Sequence, residues 1–545
     1  MATTAPPLLE SSSALPLSVA NHDASSAKEA VFEKMAPNST DWTDATDSAD
    51  SSDSSEAKVD VEAQKPKGPP RGPPPMPLTN LEKGLIGWES PDDPENPMNW
   101  AVRRKWRSIY FVAFSSFMLP LASTLFAPGV ADVAAEFHET NTTILSLMVS
   151  IFVLGFGWGP MFFHAPLSEL YGRKYVIAGS NLLFAMFNIG CAWANDVNTF
   201  LACRFLGGLF GCASMVVGAG VISDMFKREE MGGMGQKNAC ALGPIIGGFM
   251  AERAGWRWTF RLLLILGACM AVLFVVFVDE SNAPAIIRRK TAKKRKELGR
   301  PDLKSAFDEF NTRSPGQIFW HGISRPLILL ATSPPVMFLG LYMAIAFAYM
   351  YIFLTTVSGV FVDNYHFSTG TAGLSYLGIG TGLIAGLLIV GSTNDRLVEH
   401  LTKKNNGVRL PEFRLRPLFI SCLFYPVAML WYGWAVTRHA HWFAVVASMF
   451  PLGFAMIATM LPIQTYLVEV YGRYGLAAGA MAAGNCLRMT AGAFFPLVAP
   501  TLFHNLGYSW GSTLLGLLAL VLLTGMAITF IFFGRQLRER FPPKV

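Results

Sequence analysis

The chain has 545 residues, of which 52% are hydrophobic and only 15% charged, with a net charge of +6. Soluble domains carry roughly 25% charged residues, so an ordinary water-soluble globular protein is excluded for most of the length. The positive balance is no nucleic-acid footprint, because Lys and Arg fall in short connectors between apolar runs.

Residues 1–100 differ from the rest. They read SSSALPLS, DWTDATDSADSSDSSE and KPKGPPRGPPP. Such Ser, Asp and Pro richness cannot bury enough apolar area to offset ordering entropy, so a disordered cytoplasmic tail is expected. It has no basic start followed by a short apolar core and cleavage site, so no cleaved signal peptide is predicted.

Beyond the tail, apolar runs recur, each of about 20 residues, the length needed to cross a bilayer as a helix. Backbone polar groups in lipid must be satisfied internally, which makes helices the default. The predicted spans are 107–130, 143–164, 174–194, 200–222, 231–252, 260–279, 334–357, 371–391, 417–436, 442–464, 476–500 and 511–533. The fold class is therefore an all-α membrane protein with twelve transmembrane helices. The predicted domains are a six-helix bundle over 101–280, a basic cytoplasmic central loop over 281–332, a second six-helix bundle over 333–535, and a cytoplasmic tail over 536–545. Equal halves point to a duplicated transporter architecture.

Span 5 is the least regular. MGGMGQKNACALGPIIGGFM carries Gln236, Lys237 and Asn238, and its apolar part is short. Parity keeps it, because dropping it would place the most basic loop outside. Loop charges set orientation. Arg103, Arg104, Lys105 and Arg107 precede span 1, Arg173 and Lys174 follow span 2, RRKTAKKRKELGR lies between the halves, and RQLRER ends the chain. The alternate loops ADVAAEFHET, NDVNT and SGVFVDNYHFS have no Lys or Arg. Both termini are therefore predicted cytoplasmic. AERAGWRWTFRL, with three Arg beside two Trp, reads as an interfacial anchor on the outer side. The seven cysteines all fall within predicted spans and none has metal-ligand spacing. One sequon in an outer loop makes Asn141 a glycosylation candidate. Asn38 matches too but lies on the cytoplasmic side.

The loop after span 2 reads HAPLSELYGRKY. Arg173 presents a rigid fork of donors. Glu169 can accept from it, or from a helix N-terminus. Such a cluster can latch the cytoplasmic ends of the bundles, while plain positive-inside topology with a tight turn at Gly172 explains it equally well. Arg204 in RFLGG lies within span 4. An ionisable residue there is costly and usually faces a cavity, unless it snorkels outward. In GPIIGG, Pro244 removes a helix hydrogen bond and bends the span, and Gly243 and Gly247 let another helix approach. Arg488 in GNCLRMTAGAFFPL is the deepest charge, and needs a carbonyl, an acid, water or an anionic ligand. Tyr349 and Tyr351 in FAYMYIFLTT are candidate substrate contacts, or packing.

These spans and motifs resemble the major facilitator superfamily and, within it, the fungal twelve-span drug:proton antiporters, over roughly residues 88–535. APLSELYGRK resembles the family's loop signature, with Ala165 in place of its first Gly. The resemblance assigns gating to Glu169, Gly172, Arg173 and Lys174, with Asp224 as the acid that pairs with the loop Arg. GSTNDR is the half-preserved mirror copy, which adds Asp395 and Arg396. RFLGG matches R-x-x-x-G, implying proton coupling for Arg204 and Gly208. GPIIGG resembles the antiporter motif, implying an antiport helix built on Gly243, Pro244, Gly247 and Gly248. One departure is that similar sequences carry several more residues between Glu230 and Gly243. The stretch SPDDPENPMNW before span 1 also resembles the entry sequence of these proteins.

No Asp or Glu lies in a span interior, and GxxxxGK[ST] and HExxH are absent. An ATP-driven pump is unsupported. The expectation is a secondary exporter of an amphipathic small molecule (drug, toxin or secondary metabolite) by proton antiport. Its partners would be that substrate, protons and the bilayer, with no cofactor and no nucleic acid, working as a monomer in the plasma membrane rather than the vacuolar one. The alternatives are export of a polar metabolite such as a polyamine or organic acid, and a non-transporting receptor. Absence of acids at mid-membrane lowers the polyamine reading.

Overall fold

The computed structural model describes residues 78–226, 253–310, 314–472 and 474–542. The first half supplies α1 (Val102–Thr124), α2 (Thr142–Gly159), α3 (Arg173–Ala192), α4 (Val197–Gly211), its continuation α5 (Ala213–Met225) and α6 (Arg257–Phe277). Between the halves lie α7 (Ala283–Leu298) and α8 (Pro315–Thr332). The second half supplies α9 (Pro334–Tyr365), α10 (Leu377–Lys404), α11 (Leu418–Thr437), α12 (Phe450–Gly472), α13 (Ala477–Phe494) and α14 (Ala499–Arg540). Among the described residues, ten helical stretches are long and apolar enough to cross a membrane, and each coincides with a predicted span. The eleventh span is α13, whose Gly, Asn485 and Arg488 dilute its apolar character. The fifth, with Gly243, Pro244, Gly247 and Gly248, lies outside the described residues. Helix α14 runs through the outer loop predicted at 501–510, and its direction changes at Gly507, where φ is +71°.

The halves repeat their packing. Helix α3 lies along α6 as α11 lies along α14, and α2 pairs with the α4 helix as α10 pairs with α12. The second pairing depends on missing side chains. A Cβ on Gly208 would sit 2.0 Å from the Phe152 carbonyl oxygen, and one on Gly155 2.2 Å from that of Phe205. In the second half, Gly382 and Gly453 would meet the carbonyls of Phe450 and Ile379, each at 2.2 Å. Lipid offers helices no hydrophobic drive to associate, so close backbone approach through small residues supplies it. The bundles meet along α2 and α13.

The connector predicted as a loop over 281–332 is mostly helical. Asn282 caps α7 with Pro284 in its first turn, and Gly299 ends it in the left-handed region. Ser314 and Gln317 form a reciprocal capping box on α8. Helix α8 touches both halves: Gly322 packs on the Pro166 ring and Leu329 on Gly479. The entry sequence before α1 docks on the connector. Leu85–Ile86 pairs in parallel with Lys304–Ser305, and Trp88 is buried. The Lys290 ammonium stands 3.3 Å from Glu89, 3.3 Å from Asp93 and 3.2 Å from Glu95. SPDDPENPMNW is thus one half of a clamp, and α7 is the other.

Candidate functional site

At the end of the molecule that carries the basic loops, Gly172 adopts φ +97°, a conformation unstrained only for glycine. This turn separates the short helix Ala165–Tyr171 from α3. Arg173 then reaches Asp224 (3.3 Å) at the end of α5 and Ser168 (2.8 Å). The loop Arg and the span 4 acid therefore do meet. Glu169 is exposed and makes no ion pair among the described residues. The anion at the helix N-terminus is Glu280 instead, just past α6. Its carboxylate accepts from the backbone N–H groups of Arg173 (2.7 Å), Lys174 (3.2 Å) and Asn282 (3.0 Å). The dipole and the orphan donors of α3 both favour it there. The Lys174 side chain stays near the Tyr175 ring.

The second half ties the same joints with different residues. Asp395 pairs with Arg414 (2.9 Å), and Arg414 also reaches Glu469 (2.5 Å) at the end of α12. Arg396, the arginine of the mirror motif, is exposed without an ion pair among the described residues. Arg414, just before α11, takes the place that Arg173 holds before α3. Buried Glu412 binds Arg538 at the end of α14 (2.8 Å), tying the start of the ninth span to the end of the twelfth. Glu280 ties the third to the sixth. All these bonds lie within one half, so they brace each bundle at its basic end rather than lock one bundle to the other.

Arg204 is 2% exposed and does not snorkel. Its guanidinium donates to the carbonyls of Ala122 (3.2 Å), Met148 (3.3 Å) and Val149 (3.5 Å). Phe126, Phe152 and Phe260 surround it at 5.3, 4.8 and 5.6 Å. The charge is held by dipoles and ring faces at the crossing of the first, second and fourth spans. Gly208, one turn on, is the close-approach point described above.

Hydrogen bonds cross between the bundles in the interior. The Tyr351 hydroxyl and Ser123 Oγ lie 2.6 Å apart, and Trp158 Nε1 donates to Thr490 Oγ1 at 3.2 Å. Phe347 packs tilted against Tyr351, with centroids 4.9 Å apart, and the Arg488 guanidinium lies 4.8 Å from the Phe347 ring centre. Arg488 also donates to Asn485 Oδ1 (2.5 Å) and to Met460 Sδ (3.4 Å). Tyr351 and Arg488 therefore converge at the bundle interface. Tyr349 does not join them: its hydroxyl donates to the Leu515 carbonyl on α14 at 2.7 Å. Residues two apart on a helix point in nearly opposite directions.

Among the residues that sequence reasoning passed over, His164 is fully buried. Its ring nitrogens lie 2.9 Å from the Gly159 carbonyl and 2.8 Å from Ser180 Oγ. At the opposite end of the molecule Arg257 pairs with Glu136, Trp256 Nε1 donates to the same carboxylate (2.7 Å), and Arg261 lies over Trp193 and Trp258. Asn141 is exposed and accepts from the Thr143 N–H as the cap of α2.

A duplicated pair of helix bundles with braced ends and a shared polar–aromatic interface is the architecture of a secondary transporter. The chain belongs to the Major Facilitator Superfamily, whose sequence profile matches residues 112–493. It is 39% identical over 465 residues to the MFS-type transporter penM of Penicillium rubens, covering 84% of this chain and 90% of that protein. It is 37% identical to the MFS transporter cpaT of Aspergillus oryzae (83% and 91%) and 33% identical to the efflux pump radE of Floropilus chiversii (85% and 87%). The fold is similar to the xylose transporter XylE of E. coli in a partially occluded inward-open conformation, with a TM-score of 0.52 at 15% identity, covering 81% of this chain and 98% of that one.

Proposed function

We propose that the protein exports an amphipathic small molecule, a drug, toxin or secondary metabolite, by proton antiport with alternating access. The observation that carries this reading is the bundle interface itself. Tyr351, Phe347, Trp158 and Arg488 offer ring faces, hydroxyl and indole donors and a cation. Such a surface suits a largely apolar compound with a few polar groups. The relative named an efflux pump supports the direction. Where a polar cargo is concerned, the Arg488 cation favours an organic acid over a polyamine. Arg173, Asp224 and Glu280 in the first half, and Asp395, Arg414 and Glu469 in the second, are assigned to holding each bundle's cytoplasmic end rigid as the gate opens and closes. Arg204 is assigned to proton coupling. The plasma membrane with both termini cytoplasmic, function as a monomer, and glycan at Asn141 complete the reading.

The test is a gene deletion that identifies retained compounds, followed by transport of one such compound in inside-out vesicles. Export should follow an imposed pH gradient and collapse with an uncoupler. Arg204→Ala should abolish the gradient-driven component, and Arg204→Lys should restore little, because a lysine cannot reach three carbonyls in a fork. Transport indifferent to the gradient overturns the antiport reading.

A further inference from the structure

Helix α1 opens with Arg103, Arg104, Lys105 and Arg107. Cations there oppose the helix dipole, which favours anions at an N-terminus. Most of them are answered locally. Lys105 donates to the Met98 carbonyl at 2.7 Å and lies over the Phe226 ring. Arg104 and Arg107 share one carboxylate, Asp279, at 2.7 and 2.9 Å. Arg103 is exposed and makes no ion pair among the described residues. Three arginines therefore face one aspartate around an open groove of about 960 Å³ at the foot of α1 and α6.

The walls of this groove are not those of a soluble anion site. Trp106, Tyr110 and Phe111 line it with the arginines. Phe111 stacks on Phe277 across the α1–α6 seam, with centroids 5.8 Å apart. Trp106, Tyr110 and Phe114 are 39%, 67% and 47% exposed and follow at four-residue intervals, so they form one stripe along the outside of α1. That stripe runs from the charged mouth toward the middle of a predicted span. Tryptophan and tyrosine at this position are typical of the headgroup level.

We propose that this groove binds an anionic phospholipid of the leaflet facing the basic loops. The phosphate sits at Arg103 and Arg107, and an acyl chain lies along Trp106, Tyr110 and Phe114. Charge complementarity selects the headgroup, since a basic cluster beside a span attracts anionic lipid. The aromatic stripe selects a lipid over a free phosphate. The inference needs only the geometry of α1 and α6, and it stands or falls apart from the transport reading.

The test is native mass spectrometry of the full-length protein released from detergent micelles doped with phosphatidylserine or phosphatidylcholine. Phosphatidylserine should be retained and phosphatidylcholine lost, and millimolar inorganic phosphate should not displace the lipid. Arg103→Gln should cut retention about fivefold and Arg103→Gln with Arg107→Gln about 25-fold, from the usual worth of one basic residue at an anionic surface. Arg103→Lys should keep most of it, and Arg300→Gln, an exposed arginine of the connector, should keep all. Because Arg103 has no ion-pair partner among the described residues, its variant should melt with the parent and decides the matter even if the double variant is unstable. Equal retention of both lipids, displacement by phosphate alone, or unchanged retention in Arg103→Gln would each overturn the proposal.

Discussion

Replacing Glu280 with Gln isolates the charge at the foot of α3. The Glu280 side chain is 6% exposed, and it accepts three backbone N–H groups at 2.7, 3.2 and 3.0 Å. Oε1 serves Arg173 and Asn282, and Oε2 serves Lys174. Glutamine retains one carbonyl oxygen. Turned to keep the Arg173 and Asn282 bonds, it presents an NH₂ group to the Lys174 N–H, which then loses its acceptor. One charge-assisted bond is lost, the other two weaken to neutral strength, and the anion–dipole attraction disappears. Together these amount to about 2–4 kcal/mol. The expected result is a fall of several degrees in the melting temperature of the purified protein. Glu280→Ala should fall further, because all three donors are then left without the carboxylate. Export in vesicles should drop with them, since the same residue ties the loop between spans 2 and 3 to span 6. A Glu280→Gln protein that melts within a degree of the parent and transports at the parental rate would refute the role given to this carboxylate.

The clamp at Lys290 predicts a flat pH response bounded on both sides. Burial acts to raise the Asp93 pKa, but the N–H groups of Glu89 and Glu95 and the Lys290 ammonium outweigh it, and the carboxyl is held below its usual range. Its contribution is full above the unfolded value, near 4, and fades as pH falls through the folded one. Burial acts to lower the Lys290 pKa, but Glu95 and Asp93 outweigh it and the pKa is raised, so that contribution is full below about pH 10 and fades above. Hydrogen exchange of residues 84–100, corrected for intrinsic rates, should show constant protection from about pH 5 to 9 and less below about pH 4. Lys290→Ala should lower protection about 5- to 30-fold throughout that range, because the pair is worth about 1–2 kcal/mol where Glu89 and Glu95 remain open to water. Protection that changes steadily across neutral pH would contradict this. Tyr351→Phe removes a bond that crosses the bundle interface, whereas Tyr349→Phe removes one within the second bundle. The first should alter transport kinetics with little change in melting, and the second should lower melting with little change in kinetics. The reverse pattern would exchange their roles.

Much of this was legible before any coordinates. Apolar run length marks the spans because the bilayer dictates it, and the pairing of Arg173 with Asp224 is what the resemblance of the loop to the family signature implies. Glu280 was illegible because DES after a span reads as ordinary loop acids, and only the approach of α6 to α3 gives the carboxylate its donors. Arg396 drew attention through its motif, yet α10 continues to Lys404 and turns Arg396 outward. Arg414, on the far side of the loop, is nearer both acids. The connector helices were readable and were passed over. Asn282 before Pro284, and Ser314 three residues before Gln317, are helix-start signals that the dense Lys and Arg obscured.

The placement of α8 puts a strut across the two halves at the end that carries the basic loops. With Gly322 against Pro166 and Leu329 against Gly479, this strut must slide or peel before the halves can spread at its end. At the far end, Ala127–Gly129 abuts Thr369–Gly373. The length and stiffness of one surface rod therefore enter the work of opening the mouth at the end that α8 spans.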